Sequence, residues 1–555
     1  MYRIHQIKLN LNENKDRIPG KILKKIGGRD LSITKWNIVK ESLDARDKSN
    51  IMWTYSVDFE LNKAVSGGML AKMKKAGVEE APDLTYVVPA VSLNAEDKRP
   101  VVVGFGPGGI FAGLILAQAG LNPIILERGQ DVDTRTEQVE KFWNEGVLDT
   151  ESNVQFGEGG AGAFSDGKLT TGIKDVRIKK VLEEFVRFGA PKEILYKQKP
   201  HIGTDILRVV VKNIREEIIR LGGEVRFGCK MTSFEVLDGC VKKVHVVNTT
   251  KKCAQDTGNS VVKTTEVFEN IDANQTIETM ETMEMAESIE TNNLILAIGH
   301  SARDTFRFLA ENDIKMEQKP FSIGVRIEHP QEIIDIAQYG KPGSEVGLPP
   351  AEYKINYRCK EGLAEGRGVY SFCMCPGGQV ILASSQEEGV VVNGMSLHAR
   401  DSGTANSALL CDVRTSDFGS DDILAGVAFQ EKFERAAFIN AGKKYKAPTS
   451  TWGELRYGKA PHVENSLPEF AVEALKEAMP HLGRKLKGFD SDDAKVSAVE
   501  TRSSSPVRIL RGKDGESLSV RGLYPCGEGA GYAGGITSAA VDGIKMAEAV
   551  IEKYK

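Results

Sequence analysis

No run of apolar residues in this 555-residue chain is long enough to be read as a membrane span. The longest apolar stretch, 101–126, is broken by Gly104, Gly106, Gly108, Gly109, Gly113 and Gly120 and closes on Asn122-Pro123. That pattern suits strand, turn, helix and strand in succession. The opening Met1-Tyr-Arg-Ile-His-Gln-Ile-Lys contains no apolar signal-peptide core. Cysteine is sparse, at 229, 240, 253, 359, 373, 375, 411 and 526, which is too thin for a disulfide scaffold. No Cys-x-x-Cys stands beside a helix start, and no zinc-ligand spacing can be assembled around Cys373-Met-Cys375. The eight histidines are scattered, with no His-x-x-x-His or triad-like pattern. Net charge is also lacking: 73 Lys and Arg face 77 Asp and Glu, so no whole-chain field favours nucleic acid or an anionic membrane. These absences lead us to expect a soluble protein of the reducing cytoplasm, without a metal site.

At roughly 150 residues per domain the length suits three or four domains. Residues 1–94 read as a separate α+β unit. Tyr2–Leu11 alternates as a strand, and Ile18–Ile26 is a short helix closed by Gly27-Gly28. Leu31–Leu43 and Ile51–Leu61 are two strands, 68–75 a second helix and Leu84–Val88 a last strand. The order β-α-β-β-α-β predicts a ferredoxin-like sandwich. Residues 1–40 hold ten Lys and Arg against three acids, so Lys21, Lys24, Lys25 and Arg29 are candidates for a phosphate-binding face. Residues 248–292 are rich in Thr, Asn and Glu, with Glu at 278, 281, 284, 287 and 290. A period of three fits neither helix nor strand, and we expect a solvated insertion at a hairpin tip.

The informative part begins at Val101. Val101-Val-Val-Gly-Phe-Gly-Pro-Gly-Gly-Ile gives Gly104-x-Gly106-x-x-Gly109 between an apolar strand and a helix. Gly104 permits the tight turn, Gly106 a close backbone approach to a pyrophosphate, and Gly109 close helix–strand packing. The helix start offers free N–H groups and a positive dipole end to the phosphates. The second strand, Pro123–Leu126, ends in Glu127, where a carboxylate accepts hydrogen bonds from a ribose diol. Two later parts favour FAD over NAD: Leu294-Ile-Leu-Ala-Ile-Gly299, and Tyr524-Pro-Cys-Gly-Glu-Gly-Ala-Gly-Tyr-Ala-Gly-Gly-Ile-Thr-Ser. They return the chain to the first domain at its far end. A second strand–GxGxxG–helix unit is absent, because Gly527, Gly529 and Gly531 are wrongly spaced. NAD(P)H, if it is the reductant, therefore binds transiently in a cleft over the flavin.

These elements in this order resemble the FAD domain of the glutathione-reductase/hydroxylase class. More closely, the chain resembles the bacterial family of uncharacterised FAD-dependent dehydrogenases. The matching stretches are Phe156-Gly-Glu-Gly-Gly-Ala-Gly-Ala-Phe-Ser-Asp-Gly-Lys-Leu-Thr-Thr, Leu296-Ala-Ile-Gly-His-Ser-Ala-Arg-Asp-Thr, Ser371-Phe-Cys-Met-Cys-Pro-Gly-Gly, Val392-Asn-Gly-Met-Ser and Glu500-Thr-Arg-Ser-Ser-Ser-Pro-Val-Arg-Ile. With the C-terminal run they cover most of residues 100–555. The resemblance implies an α/β and α+β chain. Its Rossmann-type FAD-binding domain is discontinuous, at 95–303 and 495–555, with an inserted substrate domain at 304–494. By the same resemblance, Gly106, Pro107, Gly108 and Gly109 lie against the pyrophosphate. Glu127 and Arg128 sit at the adenosine ribose, and the backbone of Met231 meets adenine. Gly159, Gly160, Ser165 and Asp166 belong to the loop that wraps the pyrophosphate and ribityl chain. Ala297 and Gly299 belong to the second strand and turn. Gly527, Gly534, Gly535 and Ile536 come from the C-terminal run, with Glu528 replacing the more usual Asp at the ribityl hydroxyls. The helix that begins there, capped by Thr537 or Ser538, points at the flavin N1–C2=O edge.

Glu500-Thr-Arg-Ser-Ser-Ser combines a carboxylate, a guanidinium and hydroxyls just before the strand that returns to the flavin. It reads either as a salt bridge at a domain junction or as a substrate site. In the second case Arg502 orients an anionic substrate or flavin carbonyl, and Ser503–Ser505, Ser504 among them, donate hydrogen bonds. Lys168 is a similar candidate. Cys373 and Cys375 read as a small-residue strand running into the Pro376-Gly377-Gly378 turn, with a redox pair near the flavin as the alternative; His300 reads as a satisfied loop histidine, with a place near the cofactor as the alternative. The expected activity is that of an FAD-dependent oxidoreductase that moves a hydride from an unidentified small-molecule donor to flavin N5. Two alternatives stand beside it: an RNA-associated flavoprotein using residues 1–40, and an FAD-binding sensor without turnover.

Overall fold

Alternating burial along the N-terminal strands demands a cover on one face. The computed structural model describes residues 1–28, 30–94, 96–249 and 286–555. In it, β1 (Tyr2–Asn10), β2 (Ile33–Asp44), β3 (Met52–Leu61) and β4 (Val78–Glu80) form an antiparallel sheet in the order β2-β3-β1-β4. Helix Ile18–Ile26 joins β1 to β2, and helix Gly67–Lys75 joins β3 to β4. The first presents Ile18, Ile22 and Ile26 to Ile4, Leu9, Val57 and Phe59, one helical face against one sheet face. Two of the proposed phosphate-binding lysines serve the domain itself. Lys21 Nζ donates to Lys8 O and Glu13, and Lys25 Nζ to His5 O. Arg29 lies outside the described residues.

The expected strand at Leu84–Val88 does not form. Pro82 and Pro89 bracket the segment and lack the N–H that a ladder needs. Tyr86, Val88, Val91 and Leu93 instead pack onto the core of the following domain. Tyr86 Oη donates to Glu548 at 2.7 Å, and Val91 N–H to Ala119 O at 3.0 Å.

Three short strands start the next sheet: the apolar triplets β5 (Val101–Val103) and β6 (Ile124–Leu126) and, after helix Thr204–Arg220, β7 (Glu224–Arg226). β8 (Cys229–Leu237), β9 (Cys240–Asn248) and β10 (Ala286–Glu290) make a separate antiparallel sheet. The segment 248–292 is therefore not all insertion: Ala286 lies opposite Val247, Glu290 opposite Lys243, and Ile289 is buried. The remainder of that expectation, residues 250–285, lies outside the described residues. β11 (Leu294–Leu296) returns to β5 and pairs with it in parallel.

The intervening domain contributes β12 (Met316–Gln318), β13 (Phe321–Pro330), β14 (Asn356–Arg358), β15 (Gly368–Cys375), β16 (Gln379–Leu382), β17 (Val392–Met395), β18 (Thr404–Val413), β19 (Thr449–Thr451) and β20 (Lys495–Glu500). Six of these form an antiparallel sheet, β14-β15-β18-β13-β20-β19. Helices Ala425–Asn440 and Glu469–Lys485 pack on its core through Phe433, Ala437, Leu475 and Met479. After β21 (Val507–Ile509), β22 (Leu523–Pro525) rejoins the first sheet and completes the parallel order β22-β11-β5-β6-β7. The strand order reverses between β5 and β11, which places a crevice outside their carboxyl ends. Among the described residues no helix is long and apolar enough to cross a membrane.

Two glycine contacts set that crevice. A Cβ on Gly109 would overlap the Gly104 carbonyl oxygen, and one on Gly543 would overlap the Gly108 carbonyl oxygen. The first lets helix Pro107–Ala119 sit against the end of β5. The second lets helix Ile536–Ile551 cross it in backbone contact. Gly109→Ala should therefore cost about 2–3 kcal/mol or more through overpacking. Gly20→Ala, facing open space in a helix, should add about 0.5–1 kcal/mol. Urea unfolding of both variants beside the parent reads the contrast.

Candidate functional site

A cavity opens at the ends of β5, β6 and β11 and runs to β15, β17 and β20 of the inserted domain. Its floor is the start of helix Pro107–Ala119. Gly104, Gly106, Pro107 and Gly108 line it, whereas Gly109 lies behind the wall as the packing residue. Gly104 has φ 96°, and a Cβ there would overlap the Ala297 carbonyl. Gly106 caps the helix without a side-chain hydrogen bond, which leaves first-turn N–H groups without helical acceptors. Across from it Gly160, at φ 59°, brings the second glycine loop so near that a Cβ would lie 3.0 Å from Gly106 Cα. Gly159 faces Ala163 and Val211 and is not part of the wall. Fully buried Arg135 pins the chain before this loop by donating to the carbonyls of Asn153, Val154 and Glu158 at 2.8, 2.9 and 2.6 Å.

At one end of the cavity stand Glu127, Arg128 and Met231. Glu127 Oε2 accepts from Phe105 N–H at 2.7 Å, and Oε1 accepts from Gly129 and Gly157 N–H at 2.9 and 2.8 Å. One buried carboxylate thus fastens three loops, and of its roughly four acceptor positions one is left for a ribose hydroxyl. Arg128 lies 4.2 Å over the Phe156 ring and pairs with Glu151 and Asp304, an acid pair it shares with Lys230. Burial would raise the Asp304 carboxyl, but Arg128 and Lys230 hold it well below the usual carboxylate range.

Ala297 and Gly299, following β11, line the middle, together with Gly527, Glu528, Gly534, Gly535 and Ile536. Glu528 lies 3.2 Å from His300 Nδ1, so the loop histidine is a buried wall residue. The expected helix cap is corrected. Gly535 is the N-cap, and neither hydroxyl bonds a first-turn N–H. Thr537 Oγ1 donates to Leu169 O at 2.8 Å and Ser538 Oγ to Gly535 O at 3.0 Å. Each hydroxyl is drawn to a nearer carbonyl, so the first-turn N–H groups stay open to the cavity.

The far end brings in Ser165, Asp166, Lys168, Phe372, Cys373 and Asn393. Ser165 Oγ donates to Gly162 O. Asp166 is partly committed elsewhere: Arg400 donates to it at 3.0 and 2.5 Å, and Ser396 Oγ donates to Oδ1. Three of its roughly four acceptor positions are thus taken within the protein. Cys373 stands open to the cavity at a bulge of β15 with φ 42°, and Cys375 is buried. Burial pushes the Cys375 thiol up to about 12, and desolvation by the surrounding cavity walls raises the Cys373 thiol as well.

Arg502 lines the cavity, but four of its five N–H groups are engaged. It donates to Glu434 at 3.1 and 2.8 Å, to Ser301 at 3.0 Å and to Ser385 at 2.5 Å. Arg303 bonds the same carboxylate at 2.8 and 2.9 Å. Of the two readings of this stretch, the geometry is that of an ion-pair junction between helix Ala425–Asn440 and the β11 side. Ser504 lies off the wall and accepts from Lys319 at 2.5 Å; Ser503 faces the cavity instead. Sequence reasoning missed Arg326, Asn393 and Arg400. The stretch around Asn393 had been singled out, but nothing local shows what a buried arginine 67 residues earlier will bond.

A family model described as FAD-dependent protein, C-terminal domain-like matches residues 320–503, and a domain of unknown function matches residues 1–60. A protein of Clostridium beijerinckii, described as uncharacterised, is 44% identical over 572 residues, covering 100% of this chain and 99% of the relative. The chain belongs to the same family as this relative. Among solved structures, glycerol-3-phosphate dehydrogenase from Bacillus halodurans, complexed with FAD, is similar at TM-score 0.31 and 12% identity, over 83% of this chain and 64% of that one. A geranylgeranyl bacteriochlorophyll reductase-like protein from Thermoplasma acidophilum gives TM-score 0.35 and 11% identity, over 83% and 80%.

The junction yields a prediction. Burial would raise the Glu434 carboxyl, but Arg303 and Arg502 hold it well below the usual range. Its stabilisation is therefore complete above the ordinary glutamate pKa of about 4.3 and is lost as pH falls below that. Glu434→Gln should cost about 3–5 kcal/mol near neutrality. In urea titrations at several pH values, the gap between parent and variant should narrow in acid.

Proposed function

We propose that the chain is an FAD-dependent oxidoreductase that oxidises a small organic donor at the inserted-domain end of its cavity. The observation behind this reading is the continuity of that cavity, from Glu127 and Met231 past a glycine-lined helix start to Phe372, Cys373 and Asn393. The donor set suits a dinucleotide: Gly106 and Gly160 meet too closely for side chains, and two helix starts open onto one space. In this reading Gly106, Pro107 and Gly108 would hold the pyrophosphate, and Glu127, Arg128 and Met231 the adenosine. Glu528 would hold the ribityl chain, and Gly534, Gly535 and Ile536 the flavin. FAD would supply a hydride acceptor at N5. The chain's own task is to exclude water, fix the donor and stabilise negative charge at the start of helix Ile536–Ile551, a contribution of about 0.3–2 kcal/mol.

The domain division follows the same reading: a ferredoxin-like unit at 1–94, an FAD domain at 95–303 and 495–555, and a substrate domain at 304–494. We place the protein in the cytoplasm, with NAD(P)H at most a transient visitor. The RNA-associated alternative loses two of its four basic candidates to internal hydrogen bonds.

Protein denatured after purification should release FAD, not FMN, near one per chain by chromatography. Glu127→Ala should weaken FAD retention by about 1–3 kcal/mol, because three N–H groups lose their acceptor. Anaerobic mixing with NADH, NADPH and a metabolite panel should reduce the bound flavin faster than free FAD for at least one donor. Failure with every donor favours the sensor alternative, and release of FMN or no flavin contradicts the proposal.

A further inference from the structure

We propose that the substrate end of the cavity binds a carboxylate monoanion between Lys168 Nζ and Asn393 Nδ2. The inference rests on reading the cavity as a flavin and substrate site, and it adds the chemical class of the substrate.

The charges on the wall are almost all answered within the protein. Glu127 has its three N–H donors, Arg128 and Lys230 share Glu151 and Asp304, Arg502 and Arg303 share Glu434, Glu500 has Arg326, and Glu528 lies 3.2 Å from His300 Nδ1. Lys168 differs. Its nearest carboxylate is Asp166, 3.9 Å away, and that group already accepts two hydrogen bonds from Arg400. Following the ion pairs outward from Lys168 gives a closed set, Asp166, Arg400, Glu352 and Lys199. Among the described residues it holds three cations and two carboxylates. One positive charge is left over, and it faces the cavity through Lys168.

Asn393 supplies the second donor, and Arg326 fixes which end of its amide is free. Arg326 is fully buried and places all five N–H groups: two on Glu500, two on Cys373 O and Asn406 Oδ1, and one on Asn393 Oδ1 at 2.7 Å. A guanidinium only donates, so the bonded atom of Asn393 must be its oxygen, which also accepts from Gly394 N–H at 2.8 Å. The Nδ2 group is therefore the unbonded end of a half-buried wall residue. The Ser396–Asp166 hydrogen bond latches the end of this strand to the loop that carries Lys168.

One ammonium and one amide suit the two oxygens of a carboxylate, and a single excess positive charge suits a single negative one. A neutral ligand would leave Lys168 unanswered in a site it helps to dry. A phosphate dianion would carry one charge too many beside Glu500.

The test is calorimetric titration of the purified protein, FAD content measured, with benzoate, benzamide and inorganic phosphate, and with the smaller pair acetate and acetamide. At least one carboxylate should bind about tenfold or more tighter than its amide and than phosphate. Lys168→Met and Asn393→Asp should each abolish that preference, and Lys168→Arg should keep most of it. Asn393→Asp preserves the oxygen that Arg326 holds, so it decides the matter if Lys168→Met loses flavin. Amides that bind as well as their carboxylates, phosphate that binds best, or a preference that survives in both variants overturns the proposal. Carboxylate preference in protein that carries no FAD would contradict the flavin reading and leave the anion site standing.

Discussion

Close backbone approach at Gly109 and Gly543 governs the geometry of the whole site. Gly109 lies against the Gly104 carbonyl, and Gly543 against that of Gly108. These contacts bring the starts of two helices, one following β5 and one following β22, to one crevice at the strand reversal. A methyl group at either glycine would push a helix outward and widen the floor. The second glycine loop then closes the crevice from the side, because Gly160 meets Gly106 backbone to backbone.

On that frame the protein places several buried charges, most of them held in pairs or triads. Arg303, Glu434 and Arg502 tie the inserted domain to the β11 side, and Arg326 gathers Glu500, Asn393 and the Cys373 carbonyl into one wall. Such groups are costly when left unpartnered, and satisfied they fix one arrangement of side chains. The inserted domain therefore meets the cavity as a shaped polar surface, on which the few unsatisfied donors mark where a ligand belongs.

The parts of the fold legible in the sequence were those written in local pattern. The triplet Val101–Val103, the glycines that follow and the isoleucines of Ile18–Ile26 declared strand, turn and helix face directly. Leu84–Val88 misled because its alternation is real but serves docking on a neighbouring core, and Pro82 and Pro89 were the warning. Wall residues of the candidate site were legible where they belong to glycine-rich turns, from Gly104 to Gly108 and from Gly534 to Ile536. Arg502 was seen but not its partners, since Glu434 stands 68 residues away and Ser301 stands 201. Asp166 and Glu127 carry the chemistry expected of their residue types, yet each turns part of it toward the protein itself. Pairings of that kind depend on which buried groups meet after folding, and local pattern holds no record of them.

The central claim is that one cavity, built from the two ends of the FAD-domain sequence, seats the dinucleotide. Hydrogen exchange of the flavin-free and FAD-loaded protein, read by mass spectrometry, tests it most directly. Slowed exchange on loading should appear together in residues 104–110, 127–129, 157–168 and 526–539, with residues 1–80 unchanged. Protection confined to one of these segments, or centred in residues 1–80, would contradict the account.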